Sequence, residues 1–371
     1  MPLVTSRAYR CACGHRVFFR NSECLACRAP LGFLADDLAM HALLPGPSAG
    51  TWLLHGRDGR YARCGNFATA AACNWLVAID GAGRRFCPAC ALNRTIPNLA
   101  DPENAERWGR LERAKRRLVS QLLGLGLPVT PRSTDPANGL AYDFLRAMPG
   151  QPPVTTGHRA GVITIDVDEA DEAACEAARK ALGEPYRTLL GHFRHEVGHY
   201  YWDRLIAGGA WHEPFRELFG DERTDYQESL RRNYGQDRRP DWRDRFISSY
   251  ASAHPWEDWA ESWAHYLHLR DTIDTAASFG LVIGTDRRGD GPFAPHHLWR
   301  SDSPSSADFL QLLHDWLEIT SVMNEMSRAM GQRDFYPFVL APRVVPKLHF
   351  IHCAIDAAAR RIEPRPMSLT A

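Results

Sequence analysis

Over residues 1–97 the apolar positions fall in short runs broken by Gly, Pro and Asn, and no helical period persists. This pattern predicts a β-rich module whose core is too small to stand without cross-links. Residues 51–61 read as a strand, a turn at Asp58-Gly59 and a second strand. At Asp101 the pattern changes. Asp101-Pro102-Glu103 has the form of an N-cap with Pro at the first helical position, and opens a helix to about Leu123. Residues 126–139 are rich in Pro, Gly and Asn and read as a linker. Beyond it, residues 140–145 and 161–166 have strand character, whereas 170–182, 185–207, 256–279, 306–330 and 344–359 have helical character. The second of those helices stops at Gly208-Gly209. The expected organisation is α+β: a β-rich module over 1–98, a basic helix and linker over 99–138, and a mainly helical domain with a small sheet over 139–371.

The chain has 371 residues, enough for two or three domains. It shows no apolar run near the ~18 residues that span a bilayer, and its start lacks an apolar signal core. The expectation is a cytoplasmic protein with no membrane partner. Net charge is zero, yet residues 1–132 carry 18 Lys and Arg against 9 Asp and Glu, and the rest carries 26 against 35. The two halves therefore suit different partners. In the helix after Asp101 the cations Arg107, Arg110, Arg113, Lys115, Arg116 and Arg117 read first as a solvated face, with phosphate binding as the alternative.

Ten cysteines without a signal core read as metal ligands before disulfides. Eight lie in the first quarter. By chain order, Cys11, Cys13, Cys24 and Cys27 form one zinc site, and Cys64, Cys73, Cys87 and Cys90 another. An interleaved, cross-braced pairing stays open, and His15 reads as a surface residue rather than a ligand. Such closed sites are structural. Two of them would cut the excess charge of the basic half to about +5, a weak nucleic-acid footprint. Cys175 and Cys353 read as small buried thiols.

The chemistry sits in the helix expected over 185–207, at His195-Glu196-Val197-Gly198-His199. Residues four apart share a helix face, so both imidazoles reach one ion while Glu196 stands beside them to act on water. Trp202 and Leu205 occupy the positions where a metzincin needs Gly and His, which excludes that class. The best downstream carboxylates are Glu257 and Glu261, which with His265 form a stripe at i, i+4, i+8 behind Pro255.

With these motifs in place, the chain resembles the gluzincin metallopeptidases, and more closely a bacterial family of zinc-binding metallopeptidases with an N-terminal zinc ribbon. The resemblance spans nearly the whole sequence. It rests on the double cysteine cluster, Asn74-Trp75-Leu76-Val77, Arg94-Thr95-Ile96-Pro97-Asn98-Leu99, the stretch from His195 to Asp203, and the segment from Pro255 to His265. It implies a zincin-like domain in which Glu257 is the third zinc ligand and Glu261 orients His195 or His199. The reverse assignment, with Glu261 as ligand, stays open, as does His265. Tyr250, seven residues before Glu257, matches the tyrosine that faces zinc in lethal-factor-type gluzincins. Thermolysin-like enzymes use a histidine instead, for which His296, His297 and His314 are candidates. Residues 163–165 would form the edge strand to which an extended peptide adds.

Three functions compete on these grounds. The leading one is a zinc metallopeptidase with Glu196 as general base, one catalytic and two structural zinc ions, a peptide or protein substrate, and a protein partner at the ribbon. The second is a zinc-ribbon adaptor for protein or nucleic acid whose peptidase-like half is inactive. The third is a metal-dependent hydrolase of non-peptide amides.

Overall fold

The structure, a computed structural model, describes residues 5–148, 150–171, 173, 175–176, 188–234, 240–281 and 291–362. Strands β1 (Tyr9–Arg10) and β2 (Arg16–Val17) pair as a short hairpin around the first two cysteines. Strands β3 (Leu31–Leu34), β4 (Ala39–Pro45), β5 (Thr51–Leu54), β6 (Arg57–Arg63) and β7 (Leu76–Ala78) follow as an antiparallel meander. The hairpin expected within 51–61 turns earlier than predicted. Leu54 pairs with Arg57, so the turn is His55-Gly56, and Asp58-Gly59 lies inside β6. Gly56 supplies the positive φ, 73°, that so tight a connection demands.

The module's core is aromatic. Phe33 packs on Phe19 at 4.9 Å and on Trp75 at 4.7 Å between ring centroids. Beside Trp75, the Asn74 amide donates to the carbonyls of Phe19 and Asn21 at 2.8 and 2.9 Å, tying the loop between the two cysteine pairs of the first cluster to the sheet.

Strand β8 (Asn93–Thr95) belongs to a second sheet, ordered β10-β11-β9-β8. There β9 (Ala141–Leu145) runs parallel to both β8 and β11 (Val162–Asp166), and β10 (Gly157–Arg159) is the antiparallel edge. Arg94 clamps β8 to β9 through the carboxylate of Asp143. Residues 163–165, expected at the edge, are therefore internal. The chain doubles back through Ala160 and Gly161, both at positive φ, and lays β10 over the open side of β11.

Helix α1 (Pro102–Gly124) starts as predicted: Asp101 accepts from Glu103 N at 2.9 Å. Its cations do not form the expected solvated face. Lys115 and Arg116 are buried, Lys115 donating to Glu112 and Arg116 to the carbonyl of Ala71. Arg107 pairs with Asp168 and Asp171. Arg117, with Arg7 and Arg194, converges on the buried Asp271. Lodged between two modules, the helix spends most of its basic stripe on internal contacts.

The C-terminal region is mostly helical. It contains α2 (Leu189–Leu205, capped by Thr188), α3 (His212–Phe219), α4 (Tyr226–Tyr234), α5 (Trp242–Arg245), α6 (Pro255–Ser278), α7 (Ser306–Ala329) and α8 (Val345–Ile362). The short helices α3 to α5 carry too few turns to show a period in sequence. The helix expected over 170–182, and the start expected at Pro185, lie largely outside the described residues. Cys175 is only half-buried, contrary to expectation, whereas Cys353 is buried.

What positions the site is the packing of α2 on α6. At Gly198 a Cβ would stand 3.2 Å from both Ala260 Cα and the Trp263 ring. Glycine lets the helices close to that distance, and Trp259 Nε1 seals the contact by donating to the Gly198 carbonyl at 2.8 Å. One contiguous apolar core runs from Tyr9 in the first module to Ile355 in α8. Among the described residues no helix is long and apolar enough to cross a membrane.

Candidate metal centre and active site

His195 and His199 lie one turn apart on α2, and α6 carries Glu257 up to them. One Glu257 carboxylate oxygen is 3.1 Å from His195 Nε2 and the other 3.6 Å from His199 Nε2. One ligand atom from each of the three residues fits within 4.8 Å of the others. One turn further along α6, Glu261 meets the opposite ring nitrogen, His195 Nδ1, at 2.7 Å. The Ser248 hydroxyl donates to its other oxygen at 2.6 Å. Glu257 therefore meets Nε2 of His195 while Glu261 meets Nδ1, on the opposite side of the ring. His265, next on the stripe, bonds the Tyr336 hydroxyl through Nδ1 at 2.6 Å and stands outside the group.

The electrostatics suit a cation. Burial opposes ionisation of Glu257, but the two imidazoles outweigh it and hold the carboxyl well below its usual range. Glu261 is likewise opposed by burial and brought down to about 2 by His195 and Ser248. Burial would keep His195 neutral, yet the same two carboxylates draw it toward the charged form. Two carboxylates clasping buried imidazoles make a site that demands positive charge. Moreover, Glu257 Oε2 and His199 Nδ1 are buried without a hydrogen-bond partner. Two imidazoles and one carboxylate are a donor set that zinc accepts while keeping a position for water.

Glu196 is buried in the same region, and its charge acts on the hydroxyls of Tyr142 and Tyr226. Tyr250 sits in a single helical turn before α6 with its ring 5.9 Å from that of His195. His296 and His297 pack against each other with tilted rings, and His314 contacts the Phe293 carbonyl; none of the three joins the group.

Sequence reasoning missed three neighbours. Tyr226 donates to Glu257 Oε1 at 2.6 Å and also meets Tyr250; burial and Glu257 push its hydroxyl pKa upward. Ser248 holds Glu261. His158, on edge strand β10, stacks on His199 with ring centroids 6.4 Å apart. None lies at a motif spacing from His195; only the chain's path brings them there.

The eight early cysteines gather in chain order, as two groups of four, which excludes the interleaved pairing. Sγ–Sγ separations of 3.6 Å (Cys11–Cys27), 3.8 Å (Cys13–Cys24) and 3.7 Å (Cys73–Cys87) match the roughly 3.8 Å edge of a tetrahedron with Zn–S bonds of ~2.3 Å. His15 is exposed, outside the first group.

Comparison with known proteins places this geometry. Residues 8–101 match a zinc-ribbon domain model. Residues 104–354 match the model of a family described as "Putative zinc-binding metallo-peptidase". Uncharacterized proteins of Mycobacterium tuberculosis (Rv2568c, MT2644) and Mycobacterium bovis (Mb2598c) are each 41% identical over 363 residues, covering 96% of this chain and 98% of theirs. No solved structure gives a significant match. With an N-terminal zinc ribbon leading into a region that brings together His195, His199 and Glu257, the chain belongs to that zinc-binding metallo-peptidase family.

Proposed function

We propose that the protein is a peptidase of gluzincin type with a zincin-like catalytic domain. His195, His199 and Glu257 hold the catalytic zinc, and Glu261 orients His195. The observation that carries this reading is the placement of the two α6 carboxylates on opposite ring nitrogens of His195, at 3.1 and 2.7 Å. Zinc there would acidify a water toward a pKa of ~7 and polarise the scissile carbonyl. Glu196 is the group that would accept the proton of that water as its oxygen adds to the carbonyl carbon, and would pass it to the amine as the C–N bond breaks. Tyr250 donates to the oxyanion as it develops. Tyr226 steadies Glu257. An extended peptide adds to the free edge of β10, beside His199, through main-chain hydrogen bonds. The adaptor reading drew on the zinc ribbon, the basic first half and the Arg-rich helix; of these, α1 lends it little support because most of its cations are buried or paired.

Metal analysis and peptide cleavage test the proposal together. The wild type is expected to hold three zinc ions, falling to two when His195 and His199 are both replaced by Ala. Glu196→Gln is expected to keep three and lose roughly 10²–10⁴-fold in hydrolysis of a peptide library. Two zinc ions in the wild type, or cleavage indifferent to Glu196→Gln, would overturn it.

A further inference from the structure

A cavity of about 400 Å³ opens where the zinc-ribbon module meets α1 and α6, and shares no residue with the metal centre. Its walls combine cations and phenyl rings from three distant stretches of chain: Phe18, Phe19 and Arg20; Arg113 and Arg117 of α1; and Phe279 after α6, with Arg7 beside them. The charges do not balance. Arg7 and Arg117 share a single carboxylate, Asp271, which also takes Arg194. Among the described residues Arg20 and Arg113 make neither an ion pair nor a hydrogen bond, and Glu106, whose charge also reaches Arg113, is paired with Arg110. Arg113 is half-buried; burial and the repulsion of Arg20, Arg116 and Arg110 all push its pKa down. The apolar side is unusual as well. Phe18 is 60% exposed, and Phe279 carries the Arg16 guanidinium 5.0 Å above its ring.

Unpaired guanidiniums across a ligand-sized hollow match phosphoryl oxygens in charge and in fork geometry. Phenyl faces beside them suit a planar group. We propose that this junction cavity binds an organic phosphate of mononucleotide size, its phosphoryl group on Arg20 and Arg113 and its planar part against Phe18, Phe19 and Phe279. Asp271, which holds the cavity's Arg7 and Arg117, also bonds Arg194, the neighbour of His195. The proposal does not depend on the peptidase reading.

Titration calorimetry of the zinc-loaded full chain with adenosine monophosphate as probe tests it. Saturable binding at one site is expected, with inorganic phosphate weaker and adenosine weaker still. Arg113→Gln and Arg20→Gln should each weaken binding at least tenfold, whereas Arg84→Gln, which removes an exposed arginine paired with Asp80, should not. Unchanged zinc content and melting temperature confirm that the variants are folded. The proposal fails if the probe does not saturate, if adenosine binds as well as its phosphate, or if neither cavity variant weakens binding. It also fails if Glu257→Gln abolishes binding that survives Arg113→Gln, since the probe would then sit at the metal centre.

Discussion

The cysteine clusters and the His195–His199–Glu257 centre are both suited to zinc, and almost everything else about them differs. Each cluster assembles four identical ligands from two nearby chain turns, with Sγ–Sγ distances already at the tetrahedral edge, so that no position is left for water. The histidine centre gathers two imidazoles from α2 and one carboxylate from α6, some sixty residues apart, with Tyr226 and Tyr250 against them. Its supporting groups are numerous: Glu261 behind His195, Ser248 behind Glu261, Gly198 letting the helices meet. The difference teaches where each site's stability comes from. In the clusters the metal organises a fold with little core of its own. In the centre a large core organises the side chains, and a metal would be free for the chemistry proposed above.

That contrast can be broken by experiment. The largest effect belongs to the clusters: Cys73→Ser should forfeit much of the ~10 kcal/mol or more that a structural zinc contributes to a small module, and unfold residues 8–101, seen as lost amide protection and a missing zinc ion. His195→Ala with His199→Ala should also lose one zinc yet keep a cooperative melt. Equal unfolding in both cases would erase the distinction.

Next in size, Tyr250→Phe should lower kcat about 10²–10³-fold with zinc content unchanged, the loss expected for one oxyanion donor. If instead KM alone rises, Tyr250 only packs against substrate. Glu261→Gln should weaken zinc at the centre roughly tenfold to a hundredfold, as an orienting carboxylate does, and leave both clusters loaded. Glu257→Gln should empty the centre outright; reversed magnitudes for the two glutamates would reassign ligand and support. The smallest change is Gly198→Ala. Crowding against Ala260 and Trp263 costs about 1–3 kcal/mol and gained helix propensity returns ~1, for a net loss of ~1 kcal/mol in melting experiments. A larger drop in activity than in stability would show that the α2–α6 spacing tunes the centre.

Local periodicity and spacing determined a good deal here. The two cysteine quartets, α1 with its Asp101 cap, the helical face shared by His195 and His199, and α6 behind Pro255 are all visible in the chain, because helices and knuckles are set by neighbours a few residues away. Tertiary structure alone decided which face of α6 meets α2, and so which glutamate meets Nε2 of His195 and which Nδ1. It alone folded β10 over β11, moved the sheet's edge to His158, and brought Tyr226 and Ser248 to the glutamates. It also turned the basic stripe of α1 inward onto Asp271 and Ala71. Sequence spacing records which side chains share a face, whereas the partner of that face is chosen by packing between elements far apart in the chain.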